Sequence, residues 1–125
     1  MDSNKIKIFY ISAGRSDFGL IRNGIKSFQK MRDIICYPIL LGAHNDKLFG
    51  NTNLEFQNDL LKNIIKVKFK YLKNNKNNTS YYFNKILTNM NNLVLKYKPN
   101  ICIITGDRYE MLAVSLICVN QNIPI

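Results

Sequence analysis

The apolar positions along this chain change period several times. Lys5 to Ser12 starts with lysine and apolar residues in alternation and becomes continuously apolar, as expected of a strand entering a sheet covered on both faces. Beyond Ala13-Gly14, Phe18, Ile21, Ile25, Phe28 and Met31 keep the three-and-four spacing of one helical face, and Ser16 or Asp17 is placed to cap the orphan amides at its start. Ile34 to Leu41 reads as a second strand ending at Gly42. Pro38 lacks an N–H, which confines it to an edge, a bulge or an unpaired position. Thr52-Asn53-Leu54-Glu55 has the form of a capping box and predicts a short helix through about Leu61. From Ile65 to Tyr71 apolar residues alternate with lysines, predicting a third strand with one buried face; the charge suits a sheet edge, where it discourages pairing with another chain. Asn74 to Ser80 reads as a polar turn. The run Tyr82, Phe83, Ile86, Leu87, Met90, Leu93, Val94 and Tyr97 predicts a helix that Pro99 ends. Ile101 to Ile104 is apolar on both faces, the mark of an interior parallel strand closed by Thr105-Gly106-Asp107. A last helix carries Met111, Leu112, Leu116 and Val119, and Ile123-Pro124-Ile125 opens a further strand.

Strands alternating with helices predict an α/β fold, a Rossmann-like, doubly wound parallel sheet with right-handed crossovers. With the lysine-rich third strand at one edge, the expected order is 3-2-1-4. Strand 4 would then be an apolar edge, scarcely covered by three residues from Ile123, so the chain is expected to be part of a larger domain or to need a partner strand.

Composition narrows the class. At 125 residues, 46% hydrophobic and 21% charged, the chain fits a single domain over 1–125 with its own core and leaves no room for a second. No apolar stretch nears the roughly 20 residues that span a bilayer, and Met1 to Lys5 lacks a secretory apolar region. A cytoplasmic chain without membrane attachment is the expectation. Cys36, Cys102 and Cys118 are odd in number and far apart, which argues for small buried hydrophobes over disulfides or zinc. The net charge of +10 comes mostly from lysine, accompanied throughout by Asn and Ile, and so reads as compositional bias. A nucleic-acid face would pair Lys66, Lys68 and Lys70 with Phe69 and Tyr71, but those aromatics share parity with Val67 and belong in the core. No nucleic-acid partner is expected.

In doubly wound sheets, ligands bind beyond the carboxyl ends of the strands where their order reverses, here between strands 1 and 4. Gly14-Arg15-Ser16-Asp17-Phe18-Gly19 and Gly106-Asp107-Arg108-Tyr109-Glu110 converge there. Each leads into a helix N-terminus that favours an anion, and each supplies an arginine suited to phosphate oxygens, so a diphosphate is the expected guest. Neither loop is a GxGxxG or Walker sequence. Plainer readings stand beside these: Asp107 as an N-cap, Arg15 and Arg108 as solvated cations, Glu110 as a complement to the helix dipole. His44, the only histidine, reads as a satisfied structural group more readily than as a catalyst, and without histidine partners metal binding is not expected.

Gly14-Arg15-Ser16-Asp17-Phe18-Gly19-Leu20, Gly42-Ala43-His44 with Phe49-Gly50-Asn51-Thr52, and Lys98-Pro99-Asn100 leading to Gly106-Asp107-Arg108-Tyr109-Glu110-Met111-Leu112-Ala113 resemble, in the same order, the N-terminal part of UDP-N-acetylglucosamine 2-epimerases. The two arginine-bearing loops resemble more closely the hydrolysing members of nonulosonic (sialic-type) acid biosynthesis. The resemblance implies two Rossmann-like domains of GT-B type with the active site between them. It also implies loss of the C2 proton, anti-elimination of UDP to a 2-acetamidoglucal, and hydration to N-acetylmannosamine or a related sugar, with no cofactor. By position, Arg15 matches an arginine near the UDP phosphates and Asp107 an acidic residue in acid/base or sugar-orienting work. Gly14, Arg108, Glu110 and His44 join as substrate-binding candidates. Family members continue into a His-x-x-Gly-Gly-Glu loop and a second domain that binds much of UDP, so these residues alone are expected to be inactive. The partners so implied are a UDP-sugar and either a second copy or a complementing second domain. The alternative is a non-catalytic nucleotide-binding module or half of a split enzyme.

Overall fold

β1 (Ile6–Ser12) is the spine of a parallel four-stranded sheet, hydrogen-bonded on one side to β2 (Ile34–Leu40) and on the other to β4 (Ile101–Ile103). β3 (Ile65–Lys66) extends the far edge of β2, giving the order β3-β2-β1-β4. In this computed structural model residues 4–45, 59–68 and 78–125 are described, with all their side chains except those of Arg15, Ala43 and Asn45.

Side chains alternate across the sheet because successive strand residues point to opposite faces. Phe9, Ile11 and Ala13 join Ile39 and Leu41 beneath helices α2 (Asn78–Tyr97) and α3 (Tyr109–Asn120), meeting Ile86, Met90, Val94, Val114 and Cys118. On the opposite face Cys36 and Leu40 pack with Phe18, Ile21 and Ile25 of α1 (Arg15–Lys30). This double cover explains why β1 reads as continuously apolar, whereas in β4 only Cys102 is fully buried and Ile101 and Ile103 are half-buried. Gly24 lets α1 lie close to β1, for a Cβ there would stand 3.1 Å from the Tyr10 hydroxyl.

Pro38 sits inside β2 without breaking it. Leu41 N donates to Ser12 O and Val67 N donates to Leu40 O, so alternate residues of β2 address β1 and β3 in turn. By that parity Pro38 faces β3, whose pairing begins only at Ile39. The missing N–H therefore costs no ladder bond.

Several boundaries differ from the sequence expectation. Gly14, not Ser16 or Asp17, is the N-cap of α1, with no side-chain cap; Asp17 lies in the first turn and its Oδ2 instead accepts from Ala13 N at 3.1 Å. α2 begins at Asn78, so the last part of the expected Asn-rich turn is already helical, drawn in by the burial of Tyr82, Ile86, Met90 and Val94. Its end is fixed by Lys98 at φ 52°, whose N–H bonds Val94 O, and by Lys7 Nζ on the orphan Tyr97 carbonyl at 3.2 Å. Residues 59–60 form a turn and Leu61 is irregular, none of them helix, while the capping-box motif, Phe69 to Tyr71, Asn74 to Asn77 and Phe49 to Thr52 lie outside the described residues. Within 65–68 the expected alternation holds, with Val67 buried and Lys68 exposed. Cys102 N donates to Pro124 O at 2.9 Å, so the residues after Asn122 do lie along the open edge of β4, through that bond.

All three cysteines are free and buried. Burial pushes the Cys36 thiol up to about 12, and the Cys102 thiol is raised by its hydrogen bond with Cys118 and by burial. No described helix is long and apolar enough to cross a membrane.

Phe9 is fully buried and meets Tyr37 and Tyr97 edge-on at ring-centroid distances of 6.0 and 6.1 Å. Phe9→Ala is expected to lower the unfolding free energy by about 3–5 kcal/mol, read from urea denaturation.

Candidate functional site

Reversal of strand order at β1 leaves a crevice beyond the carboxyl ends of β1 and β4, into which the β1–α1 and β4–α3 loops project. Gly14 caps α1 in an extended conformation, φ −163°, and its carbonyl accepts from Asp17 N and Phe18 N. The amides of Arg15 and Ser16 precede those bonds and have no acceptor within the helix. The Arg15 side chain lies outside those described.

The two loops touch. A Cβ on Gly14 would stand 3.1 Å from Arg108 Nη1, and one on Gly106 would stand 3.7 Å from Asp17 Oδ1. A side chain at Gly14 would make the Arg108 guanidinium give way by a few tenths of an ångström, while Gly106 is required by its φ of +96°. Arg108 is held from the other side by Glu110, with Nε on Oε2 at 3.2 Å and Nη2 on Oε1 at 2.9 Å. Glu110 is 1% exposed, whereas the Arg108 side chain is 44% exposed. The carboxylate is therefore a buried anchor and the guanidinium the part that faces the crevice. The hydrogen bond to Glu110 raises the already high pKa of Arg108, keeping it a permanent cation.

Asp107 is exposed beside this pair, and α3 is capped by Arg108, one residue later than an Asp107 cap would place it. Its carboxylate makes no hydrogen bond or ion pair among the described residues, so it is free to act on a ligand. The N-cap reading of Asp107 falls, because the backbone of Arg108 is the last extended residue before the helix.

His44 comes from the 3-10 turn Gly42–Asn45 after β2, which Gly42 enters at φ 56°. Its ring is fully buried, with Nε2 2.7 Å from Ser12 Oγ. Burial pushes the ring down to about 4; Asp17 and a hydrogen bond to the Gly14 backbone oppose that fall, and Arg108 adds to it. The structure thus gathers Gly14, His44, Asp107, Arg108 and Glu110 at one end of the sheet. Of these only Asp107 and Arg108 present an exposed side chain.

The sequence reading missed Ser12 as a partner of the site and took Asp17 for a helix cap. A serine closing an apolar buried strand, and an acid three residues after a glycine cap, were the available signals. A cavity of about 580 Å³ lined by Lys5, Gln29, Lys30 and Lys62 lies at the amino ends of the strands, away from this crevice. Among the described residues no cluster of three or more His, Cys, Asp or Glu could hold a metal ion.

A sequence profile described as UDP-N-acetylglucosamine 2-epimerase matches residues 26–125. The chain belongs to that family. It is 30% identical over 122 residues to a GDP/UDP-N,N'-diacetylbacillosamine 2-epimerase (hydrolyzing) of Campylobacter jejuni, covering 98% of this chain and 32% of that protein. A Legionella pneumophila UDP-N,N'-diacetylbacillosamine 2-epimerase (hydrolyzing) is 29% identical over 121 residues, covering 95% and 32%. Among solved structures, the Neisseria meningitidis UDP-GlcNAc 2-epimerase bound to UDP-GlcNAc superposes with a TM-score of 0.79 at 17% identity, over 95% of this chain and 30% of that one. The fold is accordingly the Rossmann-like fold of the N-terminal domain in GT-B type 2-epimerases, and the chain spans about a third of the length of these relatives.

The buried His44 gives the domain a pH dependence. An unfolded histidine titrates near 6.5 and the folded one near 4, so the unfolded chain binds more protons between those values. Stability from this source is complete above pH 6.5 and is lost as pH falls toward 4, by at most about 3 kcal/mol. Urea midpoints from pH 7 to 4 are expected to fall less steeply in His44→Gln than in the unsubstituted protein.

Proposed function

We propose that this chain forms the N-terminal wall of a hydrolysing UDP-2-acetamido-sugar 2-epimerase and holds the diphosphate of its substrate. The observation that carries this reading is the convergence of two helix N-termini, an anchored Arg108 and an exposed Asp107 at the strand-order reversal. Both hydrolysing relatives take a nucleotide-linked diacetylbacillosamine by name, which favours a substrate of that class.

In the crevice, the amides opening α1 and the exposed edge of the Arg108 guanidinium meet the phosphate oxygens, joined by Arg15 as the family resemblance implies. Charge builds on the β-phosphate as the C1–O bond breaks, and a cation fixed by a buried carboxylate stabilises it without reorganising. Glu110 thereby serves the substrate through Arg108. Asp107, exposed beside these groups, is the side chain that exchanges a proton with the sugar or orients it. The elimination takes the C2 proton onto a base and sends the C1–O electron pair out with UDP, leaving a 2-acetamidoglucal. Water then adds across that double bond, its hydroxyl to C1 and a proton to C2 on the opposite face, releasing the free sugar. The facing wall of the cleft comes from the second domain that the family resemblance implies, and the reaction is assigned to the two together, in the cytoplasm.

Turnover of UDP-N,N'-diacetylbacillosamine and UDP-N-acetylglucosamine by the two-domain protein in D2O tests this. Free UDP and a 2-epimerised free sugar carrying deuterium at C2 are expected, with Asp107→Asn lowering kcat by about 10²–10⁴-fold and changing KM little. A product still linked to UDP, or unimpaired turnover by Asp107→Asn, would contradict the assignment.

A further inference from the structure

We propose that His44 is a positioning residue that holds the β1–α1 loop from beneath, in the place the diphosphate requires, without touching the ligand. The inference rests on reading that loop as a diphosphate site. The ring is fully buried, so it offers no surface to a ligand. It reaches the loop at both ends: Nε2 lies 2.7 Å from the hydroxyl of Ser12, the last residue of β1, and the ring hydrogen-bonds the backbone of Gly14, the cap of α1. Ser12 Oγ itself lies 3.5 Å from Gly14 O, and Ala13 N between them donates to Asp17 Oδ2. Each residue of the Ser12-Ala13-Gly14 link is therefore tied down, two by His44 and one by Asp17. Because His44 stands on the turn after β2, the loop is held by a second strand and not only by its own helix.

The chemistry fits a neutral imidazole. It carries one donor and one acceptor, while a hydroxyl takes either role. An imidazolium would place a second cation beside Arg108. Placement matters because Gly14 and the Arg108 guanidinium are neighbours, a Cβ position on Gly14 lying 3.1 Å from Nη1, so a shift of the loop changes the spacing between the α1 amides and that cation. Glutamine retains a donor and an acceptor, whereas alanine has neither.

Hydrogen exchange of amides 13–18 in the intact protein, with UDP titration by calorimetry, tests the role in His44→Ala, His44→Gln and Ser12→Ala. His44→Ala is expected to speed exchange at Asp17 and Phe18, which bond Gly14 O, by about tenfold, while Ile8 to Ile11 of β1 keep their protection. UDP affinity is expected to fall in parallel, with His44→Gln close to the unsubstituted protein and Ser12→Ala between the two. Ser12→Ala removes one hydroxyl and keeps the ring, so it decides the question if His44→Ala does not fold. Unchanged exchange in both His44→Ala and Ser12→Ala overturns the inference, as does equal loss of UDP affinity in His44→Gln and His44→Ala, which would make the ring a direct ligand. An unsubstituted protein that binds no UDP defeats the diphosphate reading instead, and exchange alone then decides whether His44 holds the loop.

Discussion

Pairing of β1 on both edges is the constraint from which the rest follows. A parallel strand flanked by β2 on one side and β4 on the other must send its own connection and that of β4 in opposite directions around the sheet, which opens a crevice at their carboxyl ends. The pairing is enforced by burial. Phe9 and Ile11 are fully covered on one face of β1, and Tyr10 packs beneath α1 on the other, so a one-residue slip would exchange the two faces. The position of the two anion-attracting helix starts is thus a consequence of core packing.

At that end the fold buries polar groups, which is costly unless each has a partner. Glu110 is held by two bonds from Arg108, Asp17 by the Ala13 amide, and His44 by Ser12 and Gly14. These bonds tie the loops to their own helices and to the end of β1. They rigidify the backbone around the crevice while leaving Asp107 and the outer guanidinium exposed, as an electrostatic site requires.

Much of this was legible in sequence, for identifiable reasons. The strand order followed from the lysines alternating with apolar residues from Ile65 to Tyr71, which suit an edge, and from the unbroken apolar run of β1, which suits the centre; β4, equally apolar, stands at the other edge. The loops bearing Arg15 and Arg108 were legible because helix starts and arginines are local features. Depth was not. Glu110 at a helix start reads equally well as a solvated dipole partner, and its burial and its pairing with Arg108 emerge only in the folded chain. His44 carried no sign of being buried, since its partner Ser12 lies 32 residues away. Asp17 was read as a cap because acids commonly cap helices; with glycine in the cap position, its carboxylate turns back to Ala13. The start of α2 at Asn78 was obscured by the weak helix propensity of asparagine, which packing overrides.

The proposed activity requires that the β1–α1 and β4–α3 loops form one diphosphate site. Mapping 1H–15N amide shifts during a UDP titration of the intact protein tests it most directly. The largest changes are predicted at Gly14, Arg15, Ser16, Gly106, Asp107 and Arg108, saturating with one common dissociation constant. Changes centred on Lys5, Lys30 and Lys62 at the opposite end of the sheet, with the two loops unmoved, would contradict it.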